Sequence, residues 1–266
     1  MKKSLFTVAL SIIAIFSASN AVAAPFIVNS ALSNIGTAFD NVITGTGSTV
    51  VTAQVVDGQS TYNYIDKDGN AANVAVTRPN GSAAFPSGGY SSNGESLSGS
   101  VWNINPAANF GDIIPGFNSG LTFTFSSPVN AFGFEIGDWA TCCTGTVRDA
   151  TTVANYGVPT TGSGLWIAFD GGAATLPANA LSALDNPGVS LLGSYTNFIG
   201  AIDSSSFFSK VTFFGDGFGE FLVAGGTLRF ASVPKGSIGG NVPEPSSLVL
   251  LGLGLAGISM LRRRKA

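Results

Sequence analysis

Glu135, Asp138, Asp170 and Glu220 are the side chains on which a reaction could run, because hydrolysis of a glycosidic bond needs only two carboxyl groups at a set separation. Spacing along the chain does not say which of them meet, so no catalytic residue is nominated. The chain contains no histidine, which excludes a Ser-His-Asp triad, a Cys-His pair and a histidine-ligated zinc site. Its two cysteines cannot build a four-cysteine metal site. Cys142 and Cys143 are adjacent in "FGFEIGDWATCCTG". An oxidising compartment favours their pairing, yet neighbouring Cα atoms lie about 3.8 Å apart, short of the usual disulfide span of roughly 4.4 to 6.8 Å. The alternatives to a vicinal bond are free thiols or links between chains. Gly137 and Gly145 bound a loop that can absorb a distorted turn, and we expect the vicinal bond.

A calcium site is the other chemistry to weigh. "IDKDGN" sets Asp66, Asp68 and Asn70 at the first, third and fifth places of an EF-hand loop, but Ala71 stands where glycine belongs and Thr77 where glutamate belongs. A two-residue hairpin turn at Asp68-Gly69, between "YNYI" and "NVAVT", explains the segment better. A structural calcium held by Asp138, or by Asp216 and Glu220 of "GDGFGE", competes with plain turn carboxylates, which Asp and Gly commonly supply. Trp102, Trp139 and Trp166 could stack on sugars, although burial statistics favour a place in the core.

Whatever these residues do, β-strands must position them. "LTFTFS" alternates Leu121, Phe123 and Phe125 with Thr122, Thr124 and Ser126, and "AFGFEIG" places Phe132, Phe134 and Ile136 on one face. Residues 127–130 link the two as an antiparallel hairpin. Further strands are expected in "STVVTAQVV", "SVWNI", "GLWIAFD", "KVTFFG", "EFLVA" and "TLRFAS", each bounded by turn formers. A short helix is expected only in "LPANALSALD", Leu176 to Asp185. The pattern predicts an all-β fold, an antiparallel two-sheet sandwich of jelly-roll type.

The two ends carry a different kind of information. In "MKKSLFTVALSIIAIFSASNAVAA", Lys2 and Lys3 precede an apolar run and Ala21-Val22-Ala23 closes it, the pattern of a cleaved secretory signal peptide. At the other end, Ser246 to Leu261 is apolar or small throughout, about 24 Å as a helix at roughly 1.5 Å per residue. That is short for a bilayer core of about 30 Å, but flanking arginines can snorkel and the bilayer can thin. Arg262, Arg263, Arg264 and Lys265 then stay cytoplasmic, which leaves the rest of the chain outside. "GLGLAG" reproduces the dinucleotide fingerprint at Gly252, Gly254 and Gly257, but inside an apolar run rather than between a strand and an amphipathic helix, so small-residue helix packing accounts for it.

Pro243, Glu244 and Pro245 stand directly before that apolar run, after the loose linker "KGSIGGN". The order of Pro-Glu-Pro, apolar helix and arginine cluster resembles the PEP-CTERM sorting signal of Gram-negative bacteria. The two prolines hold Glu244 in an extended segment that a membrane peptidase can grip. The resemblance implies that the peptidase is an exosortase, and it implies association with extracellular polysaccharide and the biofilm matrix. "FGFEIGDWATCCTG" also looks like segments of other PEP-CTERM ectodomains. The domain plan is a signal peptide at 1–24, a sandwich at 25–234, a Gly-rich linker at 235–241 and the sorting signal at 242–266.

Six of the twelve Lys and Arg residues lie in the terminal segments, so 6 basic residues face 14 acidic ones between Pro25 and Asn241, a net charge near −8. Such a surface repels nucleic acid and keeps an exported domain dispersed. The expected function is a noncatalytic structural or glycan-binding protein of the polysaccharide matrix, transiently anchored in the inner membrane and then at the cell surface or extracellular. The competing class is a carboxylate-dependent glycan hydrolase or lyase.

Overall fold

The computed structural model describes residues 25–104, 120–215 and 221–238. Both terminal sorting segments lie outside these residues, as do Asp216 and Glu220. In chain order the strands are β1 (Phe26–Ala31), β2 (Val51–Gln54), β3 (Thr61–Ile65), β4 (Ala71–Thr77), β5 (Ser91–Ser92), β6 (Glu95–Ser96), β7 (Val101–Ile104), β8 (Leu121–Val129), β9 (Ala131–Gly137), β10 (Ser163–Phe169), β11 (Thr175–Ala180), β12 (Thr196–Ile202), β13 (Phe208–Gly215) and β14 (Leu222–Ala231). Among the described residues three short α-helices interrupt them, α1 (Asn41–Thr44), α2 (Ala150–Tyr156) and α3 (Pro187–Leu192), together with 3-10 turns at Leu32–Asn34 and Ala183–Asp185 and a π-helical turn at Gly36–Asp40. No described helix is long and apolar enough to cross a membrane.

Two six-stranded antiparallel sheets form the body. One runs β1-β12-β9-β14-β2 with β7 also on β14, and the other runs β11-β10-β13-β8-β4-β3. The expected two-sheet antiparallel sandwich is therefore what the chain adopts. Between the sheets lies an aromatic layer in which Phe123 of β8 meets Phe132 and Phe134 of β9 at ring-centroid distances of 4.8 and 5.1 Å. Phe125 meets Phe132 at 5.1 Å. Edge-on and offset rings at such spacings add to the burial term.

That layer corrects the expected hairpin. β8 pairs with β4 and β13, whereas β9 pairs with β12 and β14, so the link at 127–130 carries the chain from one sheet to the other. Alternation fixes which face of each strand is buried, and two apolar faces are satisfied equally by lying side by side or by facing each other. Asn130 decides between them. Fully buried, its side chain donates to the Val233 carbonyl at 2.9 Å and accepts from the Val233 N–H at 2.7 Å. Its backbone N–H donates to the Ala231 carbonyl at 3.3 Å and its carbonyl accepts from the Asp203 N–H at 2.7 Å. The crossing is thus tied to the ends of β12 and β14.

The expected helix at 176–185 is strand in its first half, and only Ala183–Asp185 makes a single 3-10 turn, capped by Ser182. Residues 175–180 form β11 at the sheet edge, where Pro177 falls in an irregular stretch of the pairing and its missing N–H costs no ladder bond. The real helices carry cap signals. Asp149 accepts from the Thr152 N–H at 2.9 Å and Gly157 closes α2 in the left-handed region. Asn186 accepts from the Gly188 N–H at 2.8 Å, Pro187 opens α3 and Gly193 ends it. "EFLVA" and "TLRFAS" are joined in the single strand β14, whose first half pairs with β7 and second half with β2. The hairpin of β3 and β4 is present, but its turn centres on Lys67-Asp68: the Gly69 N–H donates to the Asp66 carbonyl at 3.1 Å, and Gly69 takes the left-handed bulge position at φ 82°.

Candidate functional site

The loop that leaves β9 has the least ordinary backbone of the described residues. Asp138, Ala140 and Cys143, none of them glycine, take φ of 65°, 65° and 64°. Left-handed backbone costs an L-residue roughly 1–2 kcal/mol, so neighbours must hold it. The Asp138 N–H donates to the Tyr195 carbonyl at 3.0 Å, and the Thr141 hydroxyl donates to the Asp138 carbonyl at 3.2 Å. Trp139 is driven inward, its Nε1 donating to the Ser163 carbonyl at 3.3 Å while Asn186 donates to the Trp139 carbonyl at 2.8 Å. At the loop's outer end Cys142 is exposed and Cys143 half-buried, their Cα atoms 3.8 Å apart and their sulfurs set against each other.

Tyr90 closes the inner side of this loop. Its ring lies over Gly137, where any Cβ would run into it, and its hydroxyl donates to Asp138 Oδ1 at 3.4 Å. Burial pushes the Asp138 carboxyl above its ordinary range, against the hydrogen bonds from Thr141 and Tyr90. Burial, reinforced by the Asp138 charge, pushes the Tyr90 phenol up to about 12.

The other nominated carboxylates have separate settings. Glu135 is buried on the outer face of its sheet, accepting from the Ser98 N–H and hydroxyl at 3.0 Å each, with Arg229 Nη1 at 3.9 Å. Arg229 also donates to Asp40 at 3.2 Å and lies 5.7 Å from the centre of the Phe198 ring. The chain makes room for Glu135 at Gly226, where φ is 64° and a Cβ would collide with the carboxylate. Asp170, in the turn that follows β10 of the opposite sheet, accepts from the Ser209 and Lys210 N–H groups at 2.9 Å each. Asp138, Glu135 and Asp170 thus have no hydrogen-bonding partner in common, and Glu220 lies outside the described residues.

Asp66 accepts from the Asp68 and Asn70 N–H groups at 2.9 and 2.8 Å and from the Ser127 hydroxyl at 3.0 Å, and these bonds, the Asn70 contact foremost, hold its carboxyl below the ordinary range. No group of three or more metal-ligating side chains comes together among the described residues. Stacking of a sugar on tryptophan loses its platform, since Trp102, Trp139 and Trp166 are at most 1% exposed. An open cleft of about 540 Å³ lies at the end of the sandwich opposite the cysteine loop, lined by Tyr64, Ile65, Asp66, Lys67, Phe230 and Ser232 among others. Neither the cleft nor the Tyr90–Asp138 contact had a signal in the sequence, because both join residues far apart along it.

Together these features define an acidic two-sheet β-sandwich with a constrained loop at one end and an open cleft at the other. Residues 241–265 match the PEP-CTERM protein-sorting motif, which identifies the chain as an exosortase substrate and assigns it to the exosortase export route to the cell surface. No curated protein and no solved structure matches the chain.

Proposed function

We propose that the sandwich is a noncatalytic structural or glycan-binding protein of the extracellular polysaccharide matrix. The sorting motif carries this reading: it marks the chain as an exosortase substrate, and the resemblance to other proteins with that signal implies association with extracellular polysaccharide. In the precursor, residues 246–261 span the inner membrane with Arg262 to Lys265 inside, and cleavage at Pro243-Glu244-Pro245 frees the domain. The boundaries follow: signal peptide to 24, sandwich from 25 to 234, linker to 241. A jelly-roll winding is supported by the repeated passage between sheets, from β8 to β9, β12 to β13 and β13 to β14. A Cys142–Cys143 bond, supported by the facing sulfurs, fixes the outer end of the constrained loop.

Glu135 and Asp170 are occupied by contacts that hold loops to strands, which favours a structural use over proton transfer. With its net charge near −8 the domain takes neutral glycans directly and anionic ones through a bridging cation. The test is incubation with the producing cell's own exopolysaccharide, with and without calcium and a chelator, measuring retention and polymer length. Retention without shortening supports the reading. Shortening that disappears when Glu135, Asp138, Asp170 or Glu220 is made an amide would replace it with a hydrolase or lyase.

A further inference from the structure

The mature N-terminus and the exit toward the sorting signal lie at the same end of the sandwich. Phe26, the first residue of β1, pairs with Ile202 at the end of β12. Two residues on, the Ser204 hydroxyl donates to the Ile238 carbonyl at 2.9 Å and the Ser204 carbonyl accepts from the Gly236 N–H at 2.7 Å. Asn130 fixes Val233 at this end as well. The described chain therefore starts, at residue 25, and stops, at Ile238, at one end of the sandwich.

From Ile238 to Ser246 is eight residues, a reach of at most about 28 Å. β14 alone, with ten residues, runs about 33 Å at roughly 3.3 Å each. The tether is thus shorter than the sandwich is long, and this end meets the bilayer first. Its surface suits that neighbour. Phe26 is 55% exposed, Ile65 54% and Phe207 41%, and apolar side chains presented on a protein surface gain by burial at the headgroup/acyl boundary of a bilayer. Lys235 projects in the exit segment, Lys67 is paired with Asp68 at 2.7 Å, and Asp203 is buried under the serines it caps. Asp66 and Asp170 also lie at this end, Asp170 beside Ser209 and Lys210, so four aspartates (Asp66, Asp68, Asp170 and Asp203) face three lysines (Lys67, Lys210 and Lys235) and the local charge is near −1, against near −8 for the whole domain; Asp57, Glu95, Asp138, Asp149 and Asp185 lie away from this end.

We infer that this end of the sandwich, through Phe26, Ile65 and Phe207, rests on the phospholipid surface of the inner membrane while the precursor is tethered, holding the Pro-Glu-Pro segment at the depth of its peptidase. The inference rests on the tethered precursor proposed above. Its partner is the bilayer surface, and release by the peptidase ends the contact.

The test uses the full-length precursor in cells lacking the processing peptidase, with Phe207 or, at the opposite end of β14, Phe221 replaced by p-benzoylphenylalanine. Phe221 is 58% exposed, so both positions tolerate the probe. After irradiation of the membranes, intact mass reports phospholipid adducts, and carbonate extraction reports the tether. The expected result is a carbonate-resistant precursor with adduct at position 207 and none above background at 221. A carbonate-resistant precursor with no adduct at 207, or with equal adduct at both positions, overturns the membrane contact alone. A precursor released by carbonate removes the tether itself, and the contact with it.

Discussion

Replacing Asn130 with Ala should be among the most damaging single polar substitutions in the sandwich. The side chain makes two bonds to Val233, at 2.9 and 2.7 Å, and both residues are nearly inaccessible to water. Alanine leaves the Val233 N–H and carbonyl without partners, and each unsatisfied buried group costs about 1–3 kcal/mol, so the loss is about 4 kcal/mol. For a domain of this size each kcal/mol lowers Tm by about 2–4 °C, which places the shift at about 8–16 °C. Asn130→Asp keeps the acceptor, loses the donor and buries a charge, so it should be no better tolerated. Thermal and urea unfolding of the exported domain, followed by circular dichroism, measure both variants. A Tm within about 3 °C of the parent for Asn130→Ala would mean that water or a backbone shift replaces the side chain, and the account of how the chain crosses between sheets would fail.

Glu135→Ala should cost roughly 2–4 kcal/mol in urea unfolding, because Ser98 loses its acceptor and Arg229 loses a neighbouring charge in a buried setting; a negligible cost together with lost glycan cleavage would assign the residue to chemistry instead. Asp203 is held below the ordinary carboxylate range although burial alone would raise it, because the hydroxyls and N–H groups of Ser205 and Ser206 bond its charged form. Its contribution is therefore complete above its unfolded pKa and lost as pH falls through the lower folded value, so the stability gap between the parent and Asp203→Asn should hold at neutral pH and narrow as pH falls below about 4. A gap unchanged across that range would contradict the assignment. The nonreduced peptide containing Cys142 and Cys143 should weigh two hydrogens less than its reduced form, and a thiol adduct on either residue or a disulfide-linked dimer would exclude the vicinal bond.

What could be read from the sequence followed from local rules. Alternation located β8, β9, β10 and β13, and burial of the three tryptophans followed from their type. Strand partners were another matter: Phe123 and Phe134 have the same pattern whether their strands pair or face each other, and the choice rests on Asn130 reaching Val233, 103 residues away. Leu176 to Ala180 has helix-forming residues, yet its register against β10 makes it an edge strand. The cap signals of α2 and α3 were present in "DATTVANYG" and "NPGVSLLG", but these helices are too short to show periodicity. The sorting motif was legible in full because it acts as a linear segment. The Tyr90–Asp138 contact and the cleft were not, since packing alone brings their residues together.

The measurement that bears most directly on the central claim is the intact mass of the exported protein from cells with and without their exosortase. The account predicts a surface or secreted species that begins near Pro25 and ends at the Pro243-Glu244-Pro245 region, and a precursor still carrying "LRRRKA" when the peptidase is absent. A surface protein that retains "LRRRKA" in cells with active exosortase would contradict processing and leave a permanent anchor in its place.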